Sequence, residues 1–199
     1  MAERDFLTGN LLIAAPNMGD PRFERAVALI CAHDEEHAMG VVVNKPLSNV
    51  EIGDLLEPMD IDPRPAVGGE PVYYGGPVQT DRGLVIHTLD YRIDGTIGVT
   101  AEIGLTVSRE ILRDIAGVRP DRTPSARFCF AIGYAGWGPG QLEDEIRQNA
   151  WAHCPIDEEI VFAADPEASW SAAFERLGVT AAIFSPAWAS ARDENDRLN

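Results

Sequence analysis

Apolar residues along this chain come in short bursts closed by Gly, Pro, Asn and Asp, a pattern of strands and tight turns more than of long amphipathic helices. Leu11 to Ala15, followed by Pro16-Asn-Met-Gly-Asp-Pro, predicts a strand and its turns. Ala26 to Ala32 and the valine-rich Met39 to Val43, with an acidic loop between them, predict a hairpin. Ser48 with Glu51 forms a capping-box pattern, so a short helix is expected over Ile52-Gly-Asp-Leu-Leu. Pro58 to Pro71 reads as a loop.

Beyond it, Val72-Tyr-Tyr, Leu84 to Thr88 and Thr96 to Thr100 predict a run of three strands, with turns at Gly75-Gly76-Pro77 and Asp94-Gly95. Ser108 caps a predicted helix over Arg109 to Ala116, which presents Ile111, Leu112 and Ile115 on one face and ends at Gly117. Phe128 to Tyr134 predicts a strand that empties into Gly136-Trp-Gly-Pro-Gly, and Gln141 to Trp151 a helix. Glu159 to Ala163 reads as a late strand. Asp165-Pro166 opens a helix through Trp170, Phe174 and Leu177, stopped by Gly178, and a polar, frayed tail follows from about residue 193. Strands in runs, interrupted by helices without regular alternation, predict an α+β fold with a mixed or mainly antiparallel sheet. No repeat or linker divides the 199 residues, so residues 1–199 are read as a single domain.

Charge narrows the function classes. The net charge is −16, with Lys45 the only lysine and the arginines scattered singly, so the chain has no global attraction for nucleic acid or anionic lipid. Direct nucleic-acid binding is disfavoured. No apolar run is long enough to span a bilayer and the amino terminus lacks a signal core, so a cytoplasmic location is expected, with no membrane association. Cys31, Cys129 and Cys154 cannot all pair within one chain and include no C-x-x-C, which suits that compartment. Cys31 and Cys129 lie in apolar runs and read as core residues; Cys154, beside His153 and Pro155, is expected to be the exposed one.

Two motifs need weighing. His33-Asp-Glu-Glu-His37 satisfies H-x-x-E-H, a zinc pattern that works only on a helix, and the hairpin reading is preferred. No metal and no cofactor are expected. The turn Gly133-Tyr-Ala-Gly136-Trp-Gly138-Pro-Gly140-Gln follows a strand and opens a helix, yet Gln141 stands where a dinucleotide fingerprint needs its third glycine. A helix start with free N–H groups beside Trp137 could hold an anion or a carbonyl; equally, the glycines could serve only a sharp corner. Gln141 and Glu145 share a helical face, whereas Glu143 and Glu145 do not. His87 is read as a satisfied core or sheet-edge histidine, with an acid/base role as the other possibility.

Leu7-Thr-Gly-Asn-Leu-Leu-Ile-Ala-Ala-Pro, Met39-Gly-Val-Val-Val-Asn-Lys-Pro-Leu, Gly75-Gly-Pro-Val and, above all, Gly136-Trp-Gly-Pro-Gly-Gln-Leu-Glu-Asp-Glu-Ile followed by Asn149-Ala-Trp resemble the YqgE/AlgH family of bacterial proteins. The resemblance implies a single α+β domain with a bifurcated sheet and a small barrel, flanked by helices, and a loop at residues 33–37. It also implies a transcriptional-regulatory role, without an established ligand or reaction. The shared motifs fall on Asn44, Gly75, Gly76, Pro77, His87, Gly136, Trp137, Gln141, Leu142 and Glu143, which together mark the candidate ligand-binding surface. Ser185-Pro-Ala-Trp-Ala-Ser departs from the family's closing segment. Two function classes follow: a binding or indirectly regulatory module with a protein or small-molecule partner, which is favoured, and an enzyme using His87 with Gln141 or Glu143. Trp137, flanked by glycines, is expected to be partly exposed or to roof a cleft near Gly75-Gly76-Pro77.

Overall fold

The computed structural model describes residues 6–62, 65–117 and 127–178; the expected frayed tail and the divergent segment at Ser185 lie outside them. In chain order the elements are β1 (Asn10–Ala14), β2 (Val27–His33), β3 (Ala38–Val42), β4 (Pro46–Glu51), α1 (Ile52–Leu56), a 3-10 turn (Glu57–Met59) and α2 (Pro65–Gly68). Next come β5 (Pro71–Tyr74), β6 (Val78–Thr88), β7 (Ile97–Gly98), β8 (Ile103–Thr106) and α3 (Arg109–Ile115). The chain closes with β9 (Phe128–Trp137), α4 (Gln141–Arg147), β10 (Trp151–Pro155), α5 (Glu158–Val161) and α6 (Pro166–Arg176).

The sheet runs β10-β1-β2-β3-β9-β6-β8-β7 and curls into a half-barrel. It is bifurcated at β9. The last residues of β9 pair with β3, its first half pairs antiparallel with β6, and Phe130 to Ile132 also pair with β5, the one parallel contact. That makes the sheet mixed, and the fold is α+β.

Strand alternation explains how β9 serves three separate packing clusters. Cys129 and Ala131 point into the cluster built on Leu11, Leu29 and α6, Phe130 into the one under α1 and α3, and Ala135 and Trp137 into the one shared with Leu12, Ile30, Leu142 and Trp151. β1 and β2 are buried on both faces, which is why they read as continuous apolar runs.

Several expectations change. The expected run of three strands is present as β5, β6 and β7, but β5 and β6 do not pair with each other; β5 is held by β4 and β9. Thr96 to Thr100 shortens to the two residues of β7, and β8 supplies the longer pairing to β6. The helix after the glycine turn stops at Arg147, and Asn149, at φ 58, turns the chain into β10 instead of continuing to Trp151. The expected strand over Glu159 to Ala163 is the short helix α5, because Asp157 caps it by accepting from the Glu159 N–H at 2.9 Å. At α1 the box is made by Glu51 and Asp54, whose carboxylate accepts from the Glu51 N–H at 2.9 Å, since Ser48 is still in β4. Cys154 is buried beside Val161 and Ala173, not exposed, because its side chain faces α5 and α6.

The glycine pair has a steric cause. Gly75 donates to Ile132 O at 2.8 Å and accepts from Val42 N–H at 2.9 Å, so the segment threads between β3 and β9. A Cβ on Gly75 would overlap the Gly133 carbonyl, and one on Gly133, at φ +72, would overlap the carbonyl of Gly76. The backbones touch at this crossing, and only glycine fits.

Candidate functional site

The corner between β9 and α4 is organised by one carboxylate. Glu145 Oε2 accepts from the indole N–H of Trp137 at 2.9 Å and from that of Trp151 at 2.8 Å, while Oε1 accepts from the Gln141 amide at 2.8 Å. Gln141 Oε1 in turn accepts from the Gly138 N–H at 3.0 Å. The two indoles meet edge to face, with ring centroids 6.1 Å apart, and Phe23 meets Trp151 in the same way at 5.6 Å. Leu142, fully buried, pins α4 onto the same cluster.

This frame closes around a cleft of about 260 Å³, with Trp137 and Trp151 at its base, Phe23 and Pro77 as walls, and Arg22 and Gln141 at the edge. Arg22 is held by Asp20, its Nη2 2.6 Å from the carboxylate. That hydrogen bond keeps the Asp20 carboxyl below its ordinary range, with a smaller contribution from nearby Lys45. Trp137 is 5% exposed, so of the two expectations the partly exposed ring does not hold; the ring packs with Leu142 and Trp151 and lines the cleft. The helix-start N–H reading also changes, since the Gly138 donor is taken by Gln141 and the first turn carries Glu143 and Asp144.

Of the residues marked in the sequence, Pro77, Gly136, Trp137 and Gln141 line this cleft, while Gly75 and Gly76 lie against the β9 backbone beside it and do not line it. Asn44 is nearby, where the chain from β3 runs beside Tyr74 and Gly75. It is buried and satisfied, accepting from Val27 N–H at 2.7 Å and donating to Arg25 O at 2.9 Å, and it borders a separate cleft of about 460 Å³ with Lys45 and Arg25. Glu143 points elsewhere, its Oε1 3.5 Å from His33 Nε2.

His87 lies apart from all of these. It pairs with Phe128 at the opposite end of β9 from Trp137, about 30 Å away at strand rise. Its Nε2 is 2.9 Å from Thr106 Oγ1 and its Nδ1 3.0 Å from Thr88 O, and burial pushes its pKa below the ordinary histidine value. The combination of His87 with Gln141 or Glu143 is therefore not assembled, because β9 runs the length of the sheet between them.

The H-x-x-E-H segment is a hairpin. His33 pairs with Ala38, and Asp34 N–H bonds to His37 O at 3.0 Å, so the two imidazoles do not share a helical face. Among the described residues no group of three His, Cys, Asp or Glu side chains is arranged to hold a metal ion, and no helix is long and apolar enough to cross a membrane. Glu145, Trp151 and Arg22 complete the site but were not marked from sequence. The shared helical face of Gln141 and Glu145 was the available signal for Glu145. Nothing local announces the two indoles it joins.

The profile of the AlgH-like family, DUF179, matches residues 11–182. The chain belongs to this family. UPF0301 proteins are its relatives: that of Azorhizobium caulinodans is 43% identical over 189 residues, covering 91% of this chain and 90% of the relative. That of Paracoccus denitrificans is 42% identical over 190 residues, covering 94% and 97%. The solution structure of the AlgH protein from Pseudomonas aeruginosa superposes on this AlgH-like chain with a TM-score of 0.74 at 37% identity, covering 94% of this chain and 96% of that one. The protein DIP2367 from Corynebacterium diphtheriae, at 22% identity and a TM-score of 0.70, shares the fold.

Proposed function

We propose that this AlgH-like protein is a binding module that takes a small planar or aromatic group into the cleft over Trp137 and Trp151. The observation that carries this reading is the convergence of three distant stretches, residues 18–23, the turn at Pro77 and residues 135–151, on one cleft whose polar frame is already satisfied internally. Such a site is preformed. Its 260 Å³ falls just under the roughly 300 Å³ at which typical small-molecule pockets begin, so it suits one ring or one side chain of a larger ligand.

A regulatory role, if the chain has one, runs through that ligand or a protein partner, because −16 opposes an operator phosphate backbone. Among the described residues the ionisable groups lining the cleft are tied to internal partners, Asp20 to Arg22 and Glu145 to the two indoles and Gln141, which favours binding over catalysis.

A thermal-shift screen of aromatic metabolites and short peptides tests the reading. The expected result is at least one compound that raises the melting temperature of the native protein but not that of Phe23→Ala or Gln141→Ala. A compound set that stabilises native and variant proteins equally would place binding elsewhere.

A further inference from the structure

A second cleft, of about 560 Å³, opens on the other side of β9, between α1 and α3. Its base is Val85 and Phe130, both buried, and its sides are the half-buried Leu55, Met59, Leu112 and Ile132. The cluster under α1 and α3 is thus left open along one edge. Phe130 reaches the base because Gly83 has no side chain: a Cβ there would stand 2.6 Å from the ring.

The rim is distinctive in so acidic a chain. Between Val78 and Gly83 the pairing of β6 with β9 shifts register, and this stretch carries Thr80, Asp81 and Arg82 to the rim. Arg82 donates to Gln79 Oε1 at 2.9 Å. Arg109, at the start of α3, completes it. Among the described residues neither arginine lies within ion-pair distance of a carboxylate, and Asp81 is the only acid lining the cleft. The local charge is therefore positive in a protein of −16, over an apolar base.

We infer that this cleft binds a single amphiphile with an apolar chain and an anionic head, the carboxylate or phosphate resting between Arg82 and Arg109. The volume lies within the roughly 300–1,000 Å³ of ligand sites. A guanidinium fork pairs with either head group, and the apolar base takes the chain. A cationic amphiphile meets Asp81 alone and two like charges. The site is separate from the cleft over Trp137, so the two readings stand or fall independently.

The test is calorimetric titration of the full chain with monomeric decanoate, with decylammonium and acetate in parallel, and amide NMR to locate the site. Decanoate is expected to saturate and shift Val85, Leu112 and Phe130, with decylammonium at least tenfold weaker and acetate silent. Arg82→Ala/Arg109→Ala, at two exposed positions, should weaken decanoate at least tenfold without lowering the melting temperature. Leu112→Trp, which narrows the cleft, should weaken it independently of charge. Absence of saturation, equal affinity for decylammonium, an unaffected double variant, or shifts confined to other residues would each overturn the proposal. So would binding to anionic vesicles without binding to monomeric decanoate.

Discussion

His33 Nε2 stands 3.5 Å from Glu143 Oε1, joining the β2–β3 hairpin to the helix that follows the glycine turn. The other ring nitrogen, Nδ1, accepts from the Leu7 N–H at 3.0 Å, which fixes the neutral ring with its proton on Nε2. Phe6 packs edge-on against the same ring at 5.3 Å. His33 is thus a structural tie between the amino-terminal segment, the hairpin and α4.

His33→Ala should cost about 1–3 kcal/mol, because it leaves a buried N–H unpaired, whereas His37→Ala, at an exposed turn position, should stay within about 0.5 kcal/mol. Urea unfolding measures both. Elemental analysis of protein purified without chelator should find no stoichiometric zinc; one zinc per chain that disappears in His33→Ala would contradict the hairpin account.

Glu145→Ala strands two indole N–H groups at once, and should cost about 2–4 kcal/mol. Glu145→Gln can keep one acceptor oxygen for both indoles, losing only the acceptor for the Gln141 amide, and should recover part of that. Equal losses for the two variants would mean that the carboxylate contributes through its charge and not through the bonds it accepts.

Gly133 and Gly140 share φ +72 but not their surroundings: a Cβ on Gly133 meets the Gly76 carbonyl, while one on Gly140 meets nothing within 4 Å. Gly140→Ala should therefore cost only the left-handed backbone penalty of about 1–2 kcal/mol. Gly133→Ala adds a backbone collision and should cost clearly more or prevent folding. Comparable melting temperatures would show that the crossing of Gly75-Gly76 over β9 is looser than described.

These contrasts show what the sequence could reveal. β1, the hairpin, α3 and α6 were legible because each carries its own signal: an apolar run, a turn, or a cap such as Asp165, which accepts from Glu167 N–H at 3.1 Å. β4 was not, since Pro46 to Glu51 is largely exposed and owes its extended form to pairing with β5. Trp151 looked like the end of the helix from Gln141 because strand pairing with β1, at the other end of the chain, decides its conformation. The α5 segment has β-branched and aromatic residues, but Asp157 and the acidic first turn outweigh them. The glycine motifs mark the β9–α4 corner, where the cleft of about 260 Å³ opens. The role of Glu145 was hidden because the indoles it bonds come from two different strands, and the separation of His87 was hidden because register along β9 is a tertiary fact.

Burial pushes the His87 pKa below 6.5, so the folded state prefers the neutral ring. The unfolded chain takes up the proton first as pH falls. The stability His87 contributes is therefore complete above about pH 6.5 and is lost progressively as pH drops toward the folded-state value. At pH 7.5, His87→Gln should cost about 1–2 kcal/mol through its bonds to Thr106 and Thr88, and the gap to wild type should narrow as the pH falls below about 6.5. Unfolding free energies across that range measure it; a gap that widens on acidification would reverse the sign of the shift.

The most direct measurement of the central claim is the indole ¹⁵N–¹H spectrum during titration with a compound that stabilises the protein. Trp137 and Trp151 line the cleft, while Trp170, on the buried face of α6, donates to Ala14 O at 2.7 Å. The account predicts that the Trp137 and Trp151 indole signals shift and saturate together while the Trp170 signal stays still. Saturable binding that moves Trp170 alone, or leaves both cleft indoles unmoved, would contradict it.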